Sequence, residues 1–210
     1  MLGTLTIAAL VTFTPAPDAR CTEAVAELDD SLREMYEEGV TFEAFLDGAR
    51  RRRDLWLSNY ARSEVPAELL ARARAVPGAW SLLVVAVDSC SDSVSTIPFV
   101  ARLVEQVDGL DMRIVDAAVG RAVMEAHPTA DGRASTPTLV LLKGDWSEAG
   151  CFIERPQSLK DWIAENGSEM NSDEVYAAKM SWYDDDGGLS TVAQVVRMLE
   201  AAAVGASMCG

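Results

Sequence analysis

A cysteine, Cys90, stands in the turn Asp88-Ser89-Cys90-Ser91-Asp92-Ser93, after the apolar run Ser81–Val87 and before a segment with helical apolar spacing from Val94 to Val107. A cysteine at a helix start faces free backbone N–H groups and the positive end of the helix dipole, and both favour thiolate over thiol. The chemistry that suits such a residue is nucleophilic attack on a disulfide or on a peroxide. Two-cysteine exchange needs a second thiol to resolve the mixed disulfide, and the position three residues on is Ser93. Cys90-Ser91-Asp92-Ser93 is thus a C-x-x-S motif. It can exchange with protein thiols and disulfides or with a low-molecular-weight thiol, but it cannot cycle alone as a dithiol reductase. Ser93 has two open roles, as a hydroxyl donor to the Cys90 sulfur or as an ordinary first-turn residue. Asp88 and Asp92 flank the cysteine and no Lys, Arg or His lies near it in sequence. Local charge therefore opposes the thiolate that the helix start favours.

The other reactive residues are scattered. Cys21, Cys151 and Cys209 complete the set of four cysteines, and His127 is the single histidine. Their spacing matches no metal motif and no dense disulfide framework, so neither a cofactor nor a metal is expected. Cys151 falls on an expected strand away from the helix start, while Cys209 and Cys21 are the candidates to resolve Cys90. His127, beside Pro128, reads as a surface helix end. The net charge of −15 excludes a nucleic-acid backbone or an anionic membrane as partner. Arg50 to Arg53 do not change this, because consecutive helical residues point to different sides; they read as solvated or paired with nearby acids. Trp146, Trp162 and Trp182 read as packing residues.

These residues need elements to hold them. Residues 1–20 form an apolar extension or weak signal-like segment, and no stretch reaches the ~20 apolar residues of a membrane span. The sparse cysteines suit the cytoplasm, with export the alternative if that segment is a signal peptide. Helices are expected over Thr22–Gly39, Thr41–Arg62 with Thr41 as N-cap, and Pro66–Val76. The strand Ser81–Val87 and the Cys90 turn lead into a helix that Pro98 should bend. A strand over Leu110–Val115, a short helix over Val119–Ala126, strands over Thr138–Leu142 and Cys151–Glu154, and a helix over Gln157–Glu165 follow. The tail reads as helices Ser172–Tyr183 and Ser190–Ala203 around a solvated loop, Asp184-Asp185-Asp186-Gly187-Gly188. Helix-linked strands should be parallel and turn-linked strands antiparallel, which gives a mixed sheet with helices on both faces. The segments are thus an N-terminal helical region over 22–76, a core over 79–167, and C-terminal helices over 168–204.

This order, with a cysteine at the first helix start of the core, resembles the thioredoxin fold. Pro98, eight residues after Cys90, falls where that family kinks its active-site helix. Ser135-Thr136-Pro137-Thr138 falls where the family places a cis-proline, and Leu139 to Gly144 resembles its apolar strand ending in Lys-x-Gly. Asp88-x-Cys90-x-Asp92 and the stretch Trp182 to Gly187 are similar to a bacterial subgroup carrying Asp-Trp-Cys-Gly-Asp. The resemblance spans about Thr41 to Ala203. It implies an α/β thioredoxin fold, a mixed sheet of four to five strands flanked by helices, with extra N- and C-terminal helices. It also implies that Cys90 is the nucleophile, Ser93 its helix-start partner, and Thr136-Pro137 a backbone clamp for an extended substrate. Val84 and Ser89 stand where the family has a buried acid and a tryptophan. Three functions stay open: monothiol thiol–disulfide exchange, a redox-inactive protein-binding module, and a thiol peroxidase.

Overall fold

The structure, a computed structural model, describes residues 31–210. Residues 31–38 are helical. The expected Thr22 cap, Cys21 and the 1–20 extension lie outside the described residues. The ordered elements are α1 (Phe42–Gly48), α2 (Arg53–Arg62), α3 (Ala67–Arg74), β1 (Trp80–Val85), α4 (Ser91–Val104), β2 (Leu110–Val115) and α5 (Arg121–Ala126). They continue as β3 (Thr138–Leu142), β4 (Glu148–Ile153), α6 (Gln157–Asn166), α7 (Ser172–Asp186), α8 (Leu189–Ala203) and β5 (Met208–Cys209).

The sheet has five strands in the order β2-β1-β3-β4-β5. β1 pairs parallel with β2 and antiparallel with β3, and β3 pairs antiparallel with β4. β1 is central and covered on both sides, which is why its apolar run is unbroken. Leu82 and Val84 face a cluster with Val94, Ile97 and Val100 of α4 and Val192, Val195 and Leu199 of α8. Leu83 and Val85 face the opposite cluster, with Leu32, Tyr36, Val123 and Met124. Trp56 of α2 and Leu69 of α3 join the first cluster, so the helices before the sheet are part of its core.

Pro98 lies inside α4, and its missing N–H leaves the Val94 carbonyl without a helical donor. The side chain of Asn59, buried in α2, donates to that carbonyl at 2.8 Å. The kinked helix and the preceding helical region are thus joined at the one backbone group the proline orphans.

Three expected elements differ. The helix expected over Thr41–Arg62 is two helices. Thr41 does cap the first, accepting from the Ala44 N–H at 3.2 Å. The chain breaks at Arg50 to Arg52, where the Asp88 carboxylate accepts the N–H groups of Arg50 and Arg51, each at 2.9 Å. Arg52 is left-handed there, with φ 52°. The acidic run Asp184 to Asp186 is the last turn of α7, not a loop. Asp184 pairs with Arg62 at 2.8 Å, and Asp186 accepts from Ser190 across the corner into α8. Gly187 and Gly188 alone make that corner, both with positive φ, and a Cβ at Gly188 would lie 2.1 Å from the Phe99 ring. The third difference is β5, which forms a short parallel pair with β4.

Candidate functional site

Cys90 is the N-cap of α4. Its thiol donates to the Thr136 carbonyl at 3.1 Å, and its sulfur accepts the Ser93 backbone N–H at 3.5 Å. The Thr136–Pro137 peptide bond is cis. The strand that Pro137 precedes, β3, pairs with β1, whose end leads into the Cys90 turn. Cys90, Ser93, Thr136 and Pro137 therefore lie together. Ser93 contributes through its backbone: its buried hydroxyl has no hydrogen-bond partner among the described residues.

The flanking charges are not those of the local sequence. Asp92 is buried at 5% exposure and carries three donors. Arg155 Nε and Tyr183 Oη donate to Oδ1 at 3.2 and 2.8 Å, and Lys179 Nζ donates to Oδ2 at 2.8 Å. Lys179 also donates to Ser91 Oγ at 3.0 Å. Two cations thus stand beside the helix start, which corrects the expectation of a cysteine with only acids around it. Arg155 lies 63 residues from Asp92 and Lys179 lies 87, so no local pattern points to either. Tyr183 lies in the Trp182–Gly187 stretch, the one local signal for this network. Burial pushes the Tyr183 phenol well above its ordinary value, and the charge of Asp92 adds to the rise.

Asp88 is held differently. The Arg51 N–H, helped by that of Arg50, holds its carboxyl below the usual carboxylate range although burial pushes the other way. Its own carbonyl accepts from Trp56 Nε1 at 3.0 Å, and Arg52 Nε donates to the Ser89 carbonyl at 2.8 Å. The backbone of Arg50 and Arg51 and the side chain of Arg52 thus clasp the Cys90 turn, while Arg50, Arg51 and Arg52 are exposed, as expected of a solvated run. Arg53 alone pairs with a nearby acid, Asp47, at 3.8 Å.

Cys209 is disulfide-bonded to Cys151. This corrects the expectation that Cys209 is a tail thiol available to Cys90, and Cys90 is the free cysteine among the described residues. His127 is half-buried rather than on the surface, its Nδ1 lying 2.8 Å from the Val123 carbonyl and its Nε2 2.9 Å from Glu148 Oε1. Among the described residues no helix is long and apolar enough to cross a membrane.

A family model described as thioredoxin matches residues 39–171. A solved protein of unknown function from Pseudomonas aeruginosa superposes with TM-score 0.63 at 18% identity, covering 81% of this chain and 97% of its own. An HIV epitope scaffold superposes with TM-score 0.61 at 18% identity, covering 80% of this chain and 97% of its own. No curated protein matches by sequence.

Proposed function

The chain belongs to the thioredoxin family, and on that premise we propose that it is a monothiol thiol–disulfide exchange protein acting through Cys90. The observation that carries this reading is the position of the free Cys90 sulfur, between the Ser93 N–H and the Thr136 carbonyl. As a thiolate, Cys90 attacks one sulfur of a partner disulfide. A new S–S bond joins it to that sulfur, and the other partner sulfur leaves as a thiolate that takes up a proton. Ser93 cannot reverse the bond, so a second thiol from a protein or a low-molecular-weight thiol attacks it and regenerates Cys90.

The groove gives this chemistry a trigger. The Cys90 S–H and the N–H of an incoming extended segment compete for the same Thr136 carbonyl. A segment pairing there as an added strand displaces the thiol from its acceptor just as the disulfide arrives. Asp92 keeps Arg155 and Lys179 close without leaving either free to bind a peroxide, which favours disulfide over peroxide chemistry.

Incubating the Cys21→Ser protein with glutathione disulfide tests the reading by intact mass. A mixed disulfide on Cys90, absent in Cys90→Ser, is expected. Ser93→Cys is expected to gain insulin-reducing activity that the parent lacks. Failure of Cys90 to form any mixed disulfide would leave the binding-module reading in its place.

A further inference from the structure

A second cluster of reactive side chains lies at the β4–β5 edge of the sheet. The ligand-capable atoms of His127, Glu148, Cys151 and Cys209 all lie within 4.8 Å of one another. We propose that these four residues form a site for a divalent transition-metal ion of the zinc class when Cys151 and Cys209 are reduced, so that the disulfide and the metal-bound form are alternative states of one site.

The fold builds this cluster from three elements. In β4, Cys151 pairs with Val140 and Glu148 with Leu142, across a register shift that leaves Ala149 as an extra residue. Val140 and Leu142 pack against Val123 and Met124 of α5, so the shift turns Glu148 onto the same face as Cys151, the face that α5 covers. In regular register Ala149 would stand there and Glu148 would point away. His127 ends α5 on that face. β5 brings Cys209 into register with Cys151. Of the four ligands only Glu148 and Cys151 are near in sequence, which is why the spacing carries no motif.

The chemistry of the donors points to a cation. The Val123 carbonyl can only accept, so His127 Nδ1 carries the ring proton that faces it. That is the outer-shell arrangement that orients a metal-bound imidazole. It leaves Nε2 pointing at Glu148 Oε1. With Nε2 unprotonated, a lone pair faces a carboxylate, an arrangement that needs a proton or a cation between the two. The donor set of one imidazole, one carboxylate and two thiolates matches four-coordinate zinc. Cys151 is buried while Cys209 is exposed, which gives an entry path and a dry inner side.

The states interconvert with balanced chemistry. Two low-molecular-weight thiols reduce the disulfide, supplying two electrons and two protons and leaving as their own disulfide. The ion then displaces both thiol protons to bind two thiolates. A low-molecular-weight disulfide reverses this: it takes two electrons, becomes two thiols on protonation, restores the Cys151–Cys209 bond and releases the ion.

The test uses full-length Cys21→Ser/Cys90→Ser protein, reduced with a phosphine and titrated with Co2+, then with Zn2+ against a chromophoric chelator. The expected result is one ion per chain, with a thiolate-to-cobalt charge-transfer band that Zn2+ abolishes. Cys209→Ser is expected to weaken the band to about half or less, because one of the two thiolates is lost. Glu148→Gln and His127→Ala should each weaken Zn2+ binding by at least about tenfold, since even an outer-shell partner is worth about 10–100-fold. Circular dichroism checks the fold of each variant, and Glu148→Gln with Cys209→Ser carries the test if His127→Ala misfolds. No band in the reduced protein, or a band undiminished in Cys209→Ser, overturns the site. Equal Zn2+ binding by diamide-oxidised protein overturns the alternation.

Discussion

At the scale of single residues, Asp92 decides the character of the Cys90 turn. A carboxylate this buried is costly unless paired, and here Lys179 and Arg155 neutralise it while Tyr183 adds a third donor. Neutralising Asp92 leaves the buried Lys179 without this carboxylate, whereas removing Lys179 leaves Arg155 and Tyr183 on Asp92. Asp92→Asn is expected to lower stability by about 3–5 kcal/mol, and Lys179→Met by less, because Arg155 still pairs with the carboxylate. The double variant should lose less than the sum, because the lysine that Asp92→Asn orphans is absent from it. The same pair has opposite effects on the cysteine, since a thiolate is stabilised by Lys179 and opposed by Asp92. Alkylation of Cys90 by iodoacetamide should slow in Lys179→Met and quicken in Asp92→Asn. Equal rates in both variants would show that the network is structural only. Lys179 had no signature in the sequence, where it is one lysine in a charged helix. Cys90, by contrast, was legible, because an apolar strand followed by a polar turn and an amphipathic helix fixes where a helix start must be.

At the scale of elements, legibility followed the range of the deciding contact. Thr138–Leu142 is an apolar run whose ends are set by neighbouring residues, and strand and expectation coincide. The break between α1 and α2 is set by Asp88, 37 and 38 residues from the amides it accepts. Helical periodicity continues through Arg50 to Arg52 regardless, so the sequence reads as one helix. The Asp88 carboxylate also makes the break sensitive to acid. Its carboxyl is held below the usual range by the two N–H groups, so folding favours the ionised form. The contribution is complete above the unfolded value of about 3.9 and is lost as pH falls through the lower folded value. Asp88→Ala is expected to cost about 1 kcal/mol at neutral pH, allowing for solvent screening of a surface group. The gap between it and the parent should narrow as pH falls below the unfolded value of about 3.9. Chemical denaturation across pH, followed through tryptophan fluorescence, measures the gap; a gap that stays constant would assign it to packing instead.

At the scale of the whole molecule, the mixed sheet and its two-sided core follow from patterning, whereas the closure of its edge does not. β5 is two residues long, and nothing in Met208-Cys209 marks a strand. It exists because α8 packs on the first core cluster and delivers the chain end beside β4. The Cys151–Cys209 bond then spans 58 residues, enclosing α6, α7 and α8. Those helices carry both Lys179 and Tyr183, so the staple at the β4–β5 edge of the sheet confines the segment that supplies these two donors to Asp92. A loop of this size, cross-linked in the unfolded chain, is worth about 4 kcal/mol by chain entropy, and native disulfides commonly deliver about 2–4 kcal/mol. Reduction in the presence of a chelator, or Cys209→Ser, is therefore expected to lower unfolding stability by about 2–4 kcal/mol. The denaturant dependence should steepen as well, because an uncrosslinked unfolded chain exposes more surface. Urea denaturation of the oxidised, reduced and Cys209→Ser proteins separates the two effects. Coincident curves for all three would mean that packing of α8 alone holds the edge closed.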